Sequence, residues 1–342
     1  MPEAELWSFP IAVLAFIVAA VVIASAGVLM TARAERLAEV TGLGQAIMGA
    51  VFIGASTSLS GLSTTVAAAF GGYAELAVSN AVGGIAAQTA FLGIADLSYR
   101  RANLEHAAAS EANLMQGTLL IVLLAIPVLA MLGPDVTLLG VHPVSLVLFG
   151  VYYFGTRMIA GARDTPMWYP RRTHDTQPAE RHEQGASGSS VFRLWLAFGI
   201  LAGLVAGSGW AIAHAGIAIS HHLGISQTVV GTLFTAVATS LPELVIAVSA
   251  VHRGALTLAV GDIIGGNAFD VLFLALADLA FRGGSIYHHV TTAQSFWLVL
   301  SVLLTAILLL GLLRRERHGI ANIGFESFFV LLLYVGAVVL LF

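Results

Sequence analysis

Long apolar stretches alternate with short polar ones along almost the whole chain. Ten stretches stand out, at about 7–29, 43–70, 73–97, 114–133, 136–159, 192–219, 225–251, 255–281, 291–313 and 321–341. The hydrocarbon core of a bilayer is about 30 Å thick, and about 20 apolar residues in a helix cross it. Each stretch therefore predicts a membrane helix. The one long polar interval is 160–191, with Pro170, Arg171, Arg172, Pro178 and a Gly/Ser run. It is too short and too polar to bury a core of its own, so it predicts a linker. The pattern divides the chain into five helices at 1–159, a linker at 160–191 and five helices at 192–342.

Composition sharpens this picture. Hydrophobic residues make up 58% of the chain and charged residues 10%, against about 25% charged in a soluble domain. Lipid must solvate most of the surface, and the fold class is all-α integral membrane. The absence of cysteine excludes disulfides, thiolate metal sites and cysteine nucleophiles. Met1 to Leu6 is acidic and lacks the basic start of a cleaved signal, so the first stretch is expected to stay as a helix.

Net charge is -4, but in a membrane protein placement matters more than the sum. All 15 basic residues are arginine, and 14 of them fall on or beside alternate connections: Arg33 and Arg36, Arg100 and Arg101, Arg157 to Arg193, Arg253, and Arg314 to Arg317. The other connections hold Arg282 alone. By the positive-inside rule the linker is cytoplasmic and both termini lie outside, as expected for a prokaryotic plasma membrane. No phosphate loop, nucleophile motif or nucleic-acid patch occurs. The expected partners are inorganic cations and the bilayer, with no enzyme activity, no bound cofactor and no nucleic acid.

Sliding the chain along itself reveals a repeat. At an ungapped offset of 182 residues, 42–97 matches 224–279 with 22 identities in 56 pairs. Thr57-Ser58-Leu59 pairs with Thr239-Ser240-Leu241, Gly83-Gly84 with Gly265-Gly266, and Ala95-Asp96-Leu97 with Ala277-Asp278-Leu279. Five helices separate the copies. An odd number turns the second copy over in the membrane, so the chain reads as two inverted five-helix repeats. Transporters built in this way bind their substrates near the midplane, between the copies.

The chemistry concentrates in the repeat. In the seventh stretch Thr239 and Ser240 precede Glu243 by four and three residues, which would put all three on one helical face. Pro242 lacks an N–H and disturbs the turn before it, freeing carbonyls as possible ligands. Glu243 falls near mid-span, where a charge costs at least about 2.5–3.5 kcal/mol on insertion scales. A bound cation or proton would offset that cost. In the eighth stretch Asn267 and Asp270 share a face. Asp262 lies nearer the cytoplasmic end, and reads equally as a site residue or as an entrance. Hard cations prefer the carboxylate, hydroxyl and carbonyl oxygens offered here.

Thr-Ser-Leu-Pro-Glu-Leu at 239–244, followed by Gly-Asp-Ile-Ile-Gly-Gly-Asn-Ala-Phe-Asp at 261–270, resembles the second α-repeat of the sodium/calcium exchanger, or calcium/cation antiporter, superfamily. The ten-helix layout extends the resemblance over nearly the whole chain. It implies that Glu243 and Asp270 bind the transported cation, with Thr239, Ser240 and Asn267 adding oxygens and amides. It also implies antiport of Na⁺ or H⁺ against a cation, with Ca²⁺ the family's expectation.

The first repeat departs from this pattern. Ser60-Gly61 stands where the second has Pro242-Glu243, and Ile85 and Gln88 stand for Asn267 and Asp270. Thr57, Ser58 and Gln88 are its remaining ligand candidates. The stretch is rich in hydroxyls, from Ser56 to Thr65, which could serve a cation or only packing. Losing a carboxylate weakens a divalent ion more than a monovalent one. A monovalent cation/proton exchanger is therefore a second reading, and a non-transporting protein that keeps the fold is a third. Asp96 and Asp278, near the outer ends of their stretches, read as solvated helix ends, with a vestibule as the alternative. His174 and His182 read as solvated linker residues. A zinc role for His221, His222, His288 and His289 has no carboxylate spacing to support it.

Overall fold

The computed structural model describes residues 6–41, 52, 54–98, 104, 108–168, 191–315 and 324–341. Most of the expected linker, with His174 and His182, lies outside these residues, as does the start of the second stretch. Among the described residues, helices follow all ten apolar stretches. They are α1 (Phe9–Thr41), α2 (Leu59–Phe70), α3 (Ala74–Ser98), α4 (Glu111–Leu132) and α5 (Pro143–Asp164), then α6 (Val191–Leu223). α7 comprises Gln227–Thr239 and Leu241–His252, bent by 48° at the break. α8 (Leu256–Ala280), α9 (Thr292–Arg314) and α10 (Phe325–Val339) complete the fold. Seven of these are long and apolar enough to cross a membrane, or eight with the bent α7 counted as one span. α2 and α10 are shorter apolar helices.

Two boundaries differ from expectation. α1 continues past its apolar stretch to Thr41, carrying Arg33, Glu35 and Arg36. α5 begins at Pro143 rather than near 136. The apolar residues before it form a tight turn, with a bridge between Leu138 and Val141 and with Leu139 at φ 55° and Gly140 at φ +83°. Leu139 is fully exposed, so apolar character there did not mean helix.

α3 and α8 form the centre. In α3, 94% of the most apolar stretch is buried, and in α8 72%; the corresponding figures for α1 and α6 are 28% and 22%. α1 and α6 pack along each other and turn broad apolar faces outward, with Leu14, Val21, Leu196 and Leu204 exposed. Such a surface suits lipid and not water.

The repeat visible in the sequence is also a repeat of backbone. α7 breaks at Ser240, φ −97° and ψ 7°; its repeat partner Ser58, just before α2, has φ −90° and ψ 7°. The turn after α2 contains Gly72 at φ +86°, and the turn after α7 contains the paired Gly254 at φ +79°. Glycine adopts such left-handed angles without a Cβ penalty.

Asp96 and Asp278 are not solvated ends and form no vestibule. Both are fully buried, and their hydrogen bonds keep the 182-residue offset. Asp96 accepts from Leu104 N at 2.7 Å and Gly324 N at 3.0 Å, and from the Ser327 hydroxyl. Asp278 accepts from Ile286 N at 2.9 Å, His142 N at 2.7 Å and Ser145 Oγ at 2.7 Å. A buried carboxylate tolerates burial when its lone pairs are filled in this way. Two of the backbone N–H groups they satisfy, those of Gly324 and His142, lie just before α10 and α5, where donors would otherwise be orphaned.

Candidate cation site

The breaks in the first and second repeats bring α2, α3, α7 and α8 around one small cavity. Its wall is made by Ser58, Gly61, Asn80, Ala81, Gly84, Gln88, Thr239, Ser240, Glu243, Asp270 and Phe273. The cavity measures about 10 Å³. On the same measure one water needs about 10–15 Å³, so the space suits one small ion stripped of most of its hydration.

Gln88 ties the two repeats together. Its Nε2 donates to Asp270 Oδ2 at 2.8 Å and to Ser240 Oγ at 3.2 Å. Gln88 and Asp270 are themselves repeat partners, so the approximate symmetry axis passes close to this bond. Asn80 closes one side. Its Nδ2 donates to Thr65 Oγ1 at 2.9 Å and to the Gly61 carbonyl at 3.2 Å, while its Oδ1 accepts from Thr235 Oγ1 at 2.7 Å. Thr235 ends a π-helical segment of α7, Val230–Thr235. Such segments widen the backbone ladder and occur often at functional sites.

Glu243 and Asp270 are 7% and 2% exposed. Four oxygens on the cavity wall lack a hydrogen bond of good geometry: Ser58 Oγ, Gln88 Oε1, Glu243 Oε2 and Asp270 Oδ1, with the Ser58 hydroxyl close enough to the Asp270 carboxylate to interact with it. An ionised carboxylate and an amide oxygen only accept, so three of the four cannot satisfy one another. Buried charges without partners are strongly unfavourable. A cation or proton in this space would meet all of them, and carboxylate, hydroxyl and amide oxygens are what hard cations prefer.

Most of the residues expected from the sequence meet here: Glu243, Asp270, Thr239, Ser240, Ser58 and Gln88. Three do not. Thr57 turns back on its own helix and donates to the Gly54 carbonyl at 2.9 Å. Asn267 is buried against α3, its Nδ2 donating to Thr89 Oγ1 at 3.0 Å. Asp262 is exposed on α8 and does not line the cavity. Thr239, Ser240 and Glu243 do not share a continuous helical face, because the helix breaks at Ser240. They converge through the bend instead. The Thr239 carbonyl near that bend is no open ligand, since it accepts from Ser60 Oγ at 2.8 Å.

The hydroxyls of α2 act in packing. Ser63 Oγ donates to Ala206 O at 2.6 Å and Thr64 Oγ1 to Gly209 O at 2.8 Å, both on α6. His222 and His288 pair with backbone: His222 Nε2 with Trp7 O at 3.0 Å, and His288 Nε2 with Gly133 O at 3.1 Å. Among the described residues no three His, Asp or Glu side chains form a metal-holding group. Asn80 and Phe273 were missed by sequence reasoning. Asn80 had a signal, because it pairs with Asp262 at the repeat offset. Phe273 pairs with Phe91 at the same offset, but an aromatic in an apolar helix is ordinary and did not mark a site.

A family profile described as "Sodium/calcium exchanger protein" matches residues 11–157 and 192–342, nearly the whole chain in two blocks. The chain belongs to the sodium/calcium exchanger protein family. It is therefore a membrane transporter-family chain and not an enzyme. This exchanger-family chain is 30% identical over 154 residues to the sodium/calcium exchanger MaX1 of Methanosarcina acetivorans, an alignment covering 44% of this chain and 43% of the relative. The chain thus aligns with under half the length of that curated relative. The fold resembles a crystal structure of the H⁺/Ca²⁺ exchanger CAX, with TM-score 0.70 and 14% identity over 95% of this chain and 81% of that one. It also resembles the sodium-calcium exchanger NCX_Mj, with TM-score 0.62 and 17% identity over 97% of this chain and 99% of the other. The architecture is the exchanger fold with its two repeats.

Proposed function

We propose that the protein is a secondary active cation antiporter, exchanging Na⁺ or H⁺ against another cation across the membrane. The observation that carries this reading is the convergence of buried carboxylate, hydroxyl and amide oxygens, those of Glu243, Asp270, Ser58 and Gln88 among them, on one ion-sized space between the repeats. Glu243 and Asp270 hold the ion's charge. Ser58, Ser240 and Thr239 supply neutral oxygens, and Gln88 fixes Asp270. Ca²⁺ is one candidate cargo, supported by the names of the relatives: MaX1 is called a sodium/calcium exchanger and CAX an H⁺/Ca²⁺ exchanger. Protons and cations compete for the same two carboxylates, so cation binding weakens as pH falls.

In this reading 1–159 and 192–342 are the two five-helix units, joined by a cytoplasmic linker at 160–191, with both termini outside a prokaryotic plasma membrane. The arginine asymmetry supports the orientation. A single cysteine at 175 in this cysteine-free chain tests it. An impermeant thiol reagent applied from outside should leave it unlabelled; labelling would reverse the topology.

Flux into proteoliposomes, driven by gradients of Na⁺, H⁺ and Ca²⁺, tests the activity. Exchange with at least one pair of ions is expected. No flux with any pair, from a folded protein, would favour a protein that keeps the exchanger fold without transporting.

A further inference from the structure

Gly61 is the repeat partner of Glu243, and the structure accounts for what stands in place of the absent side chain. A Cβ built on Gly61 meets Phe273 Cε2 at 3.0 Å, Thr239 Oγ1 at 3.7 Å and Phe273 Cζ at 3.8 Å. The direction in which a side chain at 61 would leave α2 is therefore filled by a phenyl ring. Phe273 comes from α8, three residues beyond Asp270, and is 2% exposed. Its ring is held edge-on against Phe269, with centroids 6.1 Å apart. The Gly61 carbonyl is engaged by Asn80 Nδ2. On this wall the cavity presents a ring where the other repeat presents a carboxylate.

We propose that Phe273 is a specificity-determining residue, whose ring takes the place of an α2 carboxylate and biases the site toward a monovalent cation or proton over a divalent one. The proposal rests on the cation-site reading above. Ca²⁺ takes 6–8 oxygens, carboxylates prominent among them, and the cavity wall carries two carboxylates, Glu243 and Asp270, both from the second repeat. A hydrocarbon ring supplies none and leaves no room for the waters that would complete the shell. Coulomb attraction to a missing carboxylate is twice as large for a divalent ion as for a monovalent one. The ring therefore removes more binding from Ca²⁺ than from Na⁺. It also explains why Gly61 cannot simply be changed to Glu, because the first carbon of the new side chain would press on the ring.

Calorimetric titration of NaCl and CaCl₂ into the purified full-length protein, in a choline background, tests this. The variants are Glu243→Gln, Phe273→Leu, Phe273→Ala, Gly61→Glu and Gly61→Glu with Phe273→Ala. Wild type should bind Na⁺ more tightly than Ca²⁺. Phe273→Leu, which keeps an apolar wall, should preserve that order. The double variant should raise Ca²⁺ affinity relative to Na⁺ by at least about tenfold. Gly61→Glu alone should raise it less, because the ring remains. Phe273→Ala alone, which admits water to the wall, should move the ratio toward Ca²⁺ and shows whether the wall can be opened without misfolding. An unchanged Ca²⁺/Na⁺ ratio in both Phe273→Ala and the double variant, with each eluting as the wild type on size exclusion, overturns the proposal. So does wild-type protein that binds Ca²⁺ as tightly as the double variant. Loss of Na⁺ binding in Glu243→Gln supports the underlying site. Na⁺ binding that survives Glu243→Gln would sink the site itself, whatever Phe273 does.

Discussion

The two repeats share a backbone and differ in their chemistry. Ser58 and Ser240 break their helices at nearly the same angles. Gly72 and Gly254 make the same left-handed turn. Asp96 and Asp278 collect the same set of donors at one constant offset. Yet Gly61 faces where Glu243 stands, Gln88 where Asp270 stands, and Asn80 where Asp262 stands. Positions that shape the chain are alike in the two repeats, and several that line the cavity differ. The difference teaches that a symmetric scaffold does not need a symmetric ligand set. The pair Glu243 and Asp270 reaches the shared cavity from the second repeat, together with the Phe273 ring, and the first repeat contributes neutral groups, Ser58, Asn80 and Gln88 among them.

The largest effect expected from breaking this comparison is at the carboxylates. Glu243→Gln and Asp270→Asn should each reduce cation flux in proteoliposomes to background while the protein still elutes as a folded species. Wild-type flux in both would mean that the first repeat carries the ion. Next come the shared clamps. Asp96→Ala and Asp278→Ala each remove several hydrogen bonds to a charged acceptor, each bond contributing about 1.5–3 kcal/mol. Both should lower the thermal midpoint in detergent by similar, large amounts. A large drop for one and none for the other would show that the mirrored bonds are not equivalent. Gln88→Ala should act mainly on the site. Asp270 Oδ2 and Ser240 lose their common donor, and cation affinity by calorimetry should change by about tenfold, as removal of one charged hydrogen bond implies. Affinity equal to wild type would show that Asp270 is positioned without it. The smallest effect should come from Pro242→Ser, which gives the second repeat the residue found at 60. The first repeat breaks at Ser58 without a proline, so the bend should survive and stability should change by no more than about 1 kcal/mol. A loss of several kcal/mol would make the proline, not the surrounding packing, the cause of the bend.

Much of this was legible in the sequence, for identifiable reasons. Apolar length marks membrane helices because the bilayer fixes how long they must be. The ungapped offset marked the repeat, and Glu243 and Asp270 marked the candidate site, because a carboxylate in the middle of an apolar stretch has few bland explanations. Three kinds of feature stayed hidden. The turn at Leu138–Val141 is apolar in composition and irregular in backbone. Thr57 and Asn267 carry suitable chemistry, but their direction depends on how the helices rotate against one another. Asp96 and Asp278 looked like ends in water because their donors come from Leu104, Gly324, Ile286 and His142, residues brought near only by folding.

Those two clamps also bear on how the molecule can be taken apart. Asp96 lies on α3, in the first repeat, and grips the start of α10, in the second. Asp278 lies on α8, in the second repeat, and grips the start of α5, in the first. Each repeat thus keeps its last helix in the other's hands. A fragment ending within 160–191, made by itself, would leave Asp278's donors before α5 with no acceptor and Asp96 with only its local bond to Leu104. Two fragments made together could complete each other, because the grip runs through side chains and backbone amides and not through the connecting segment. The molecule resembles an interlocked dimer whose two members happen to share one chain.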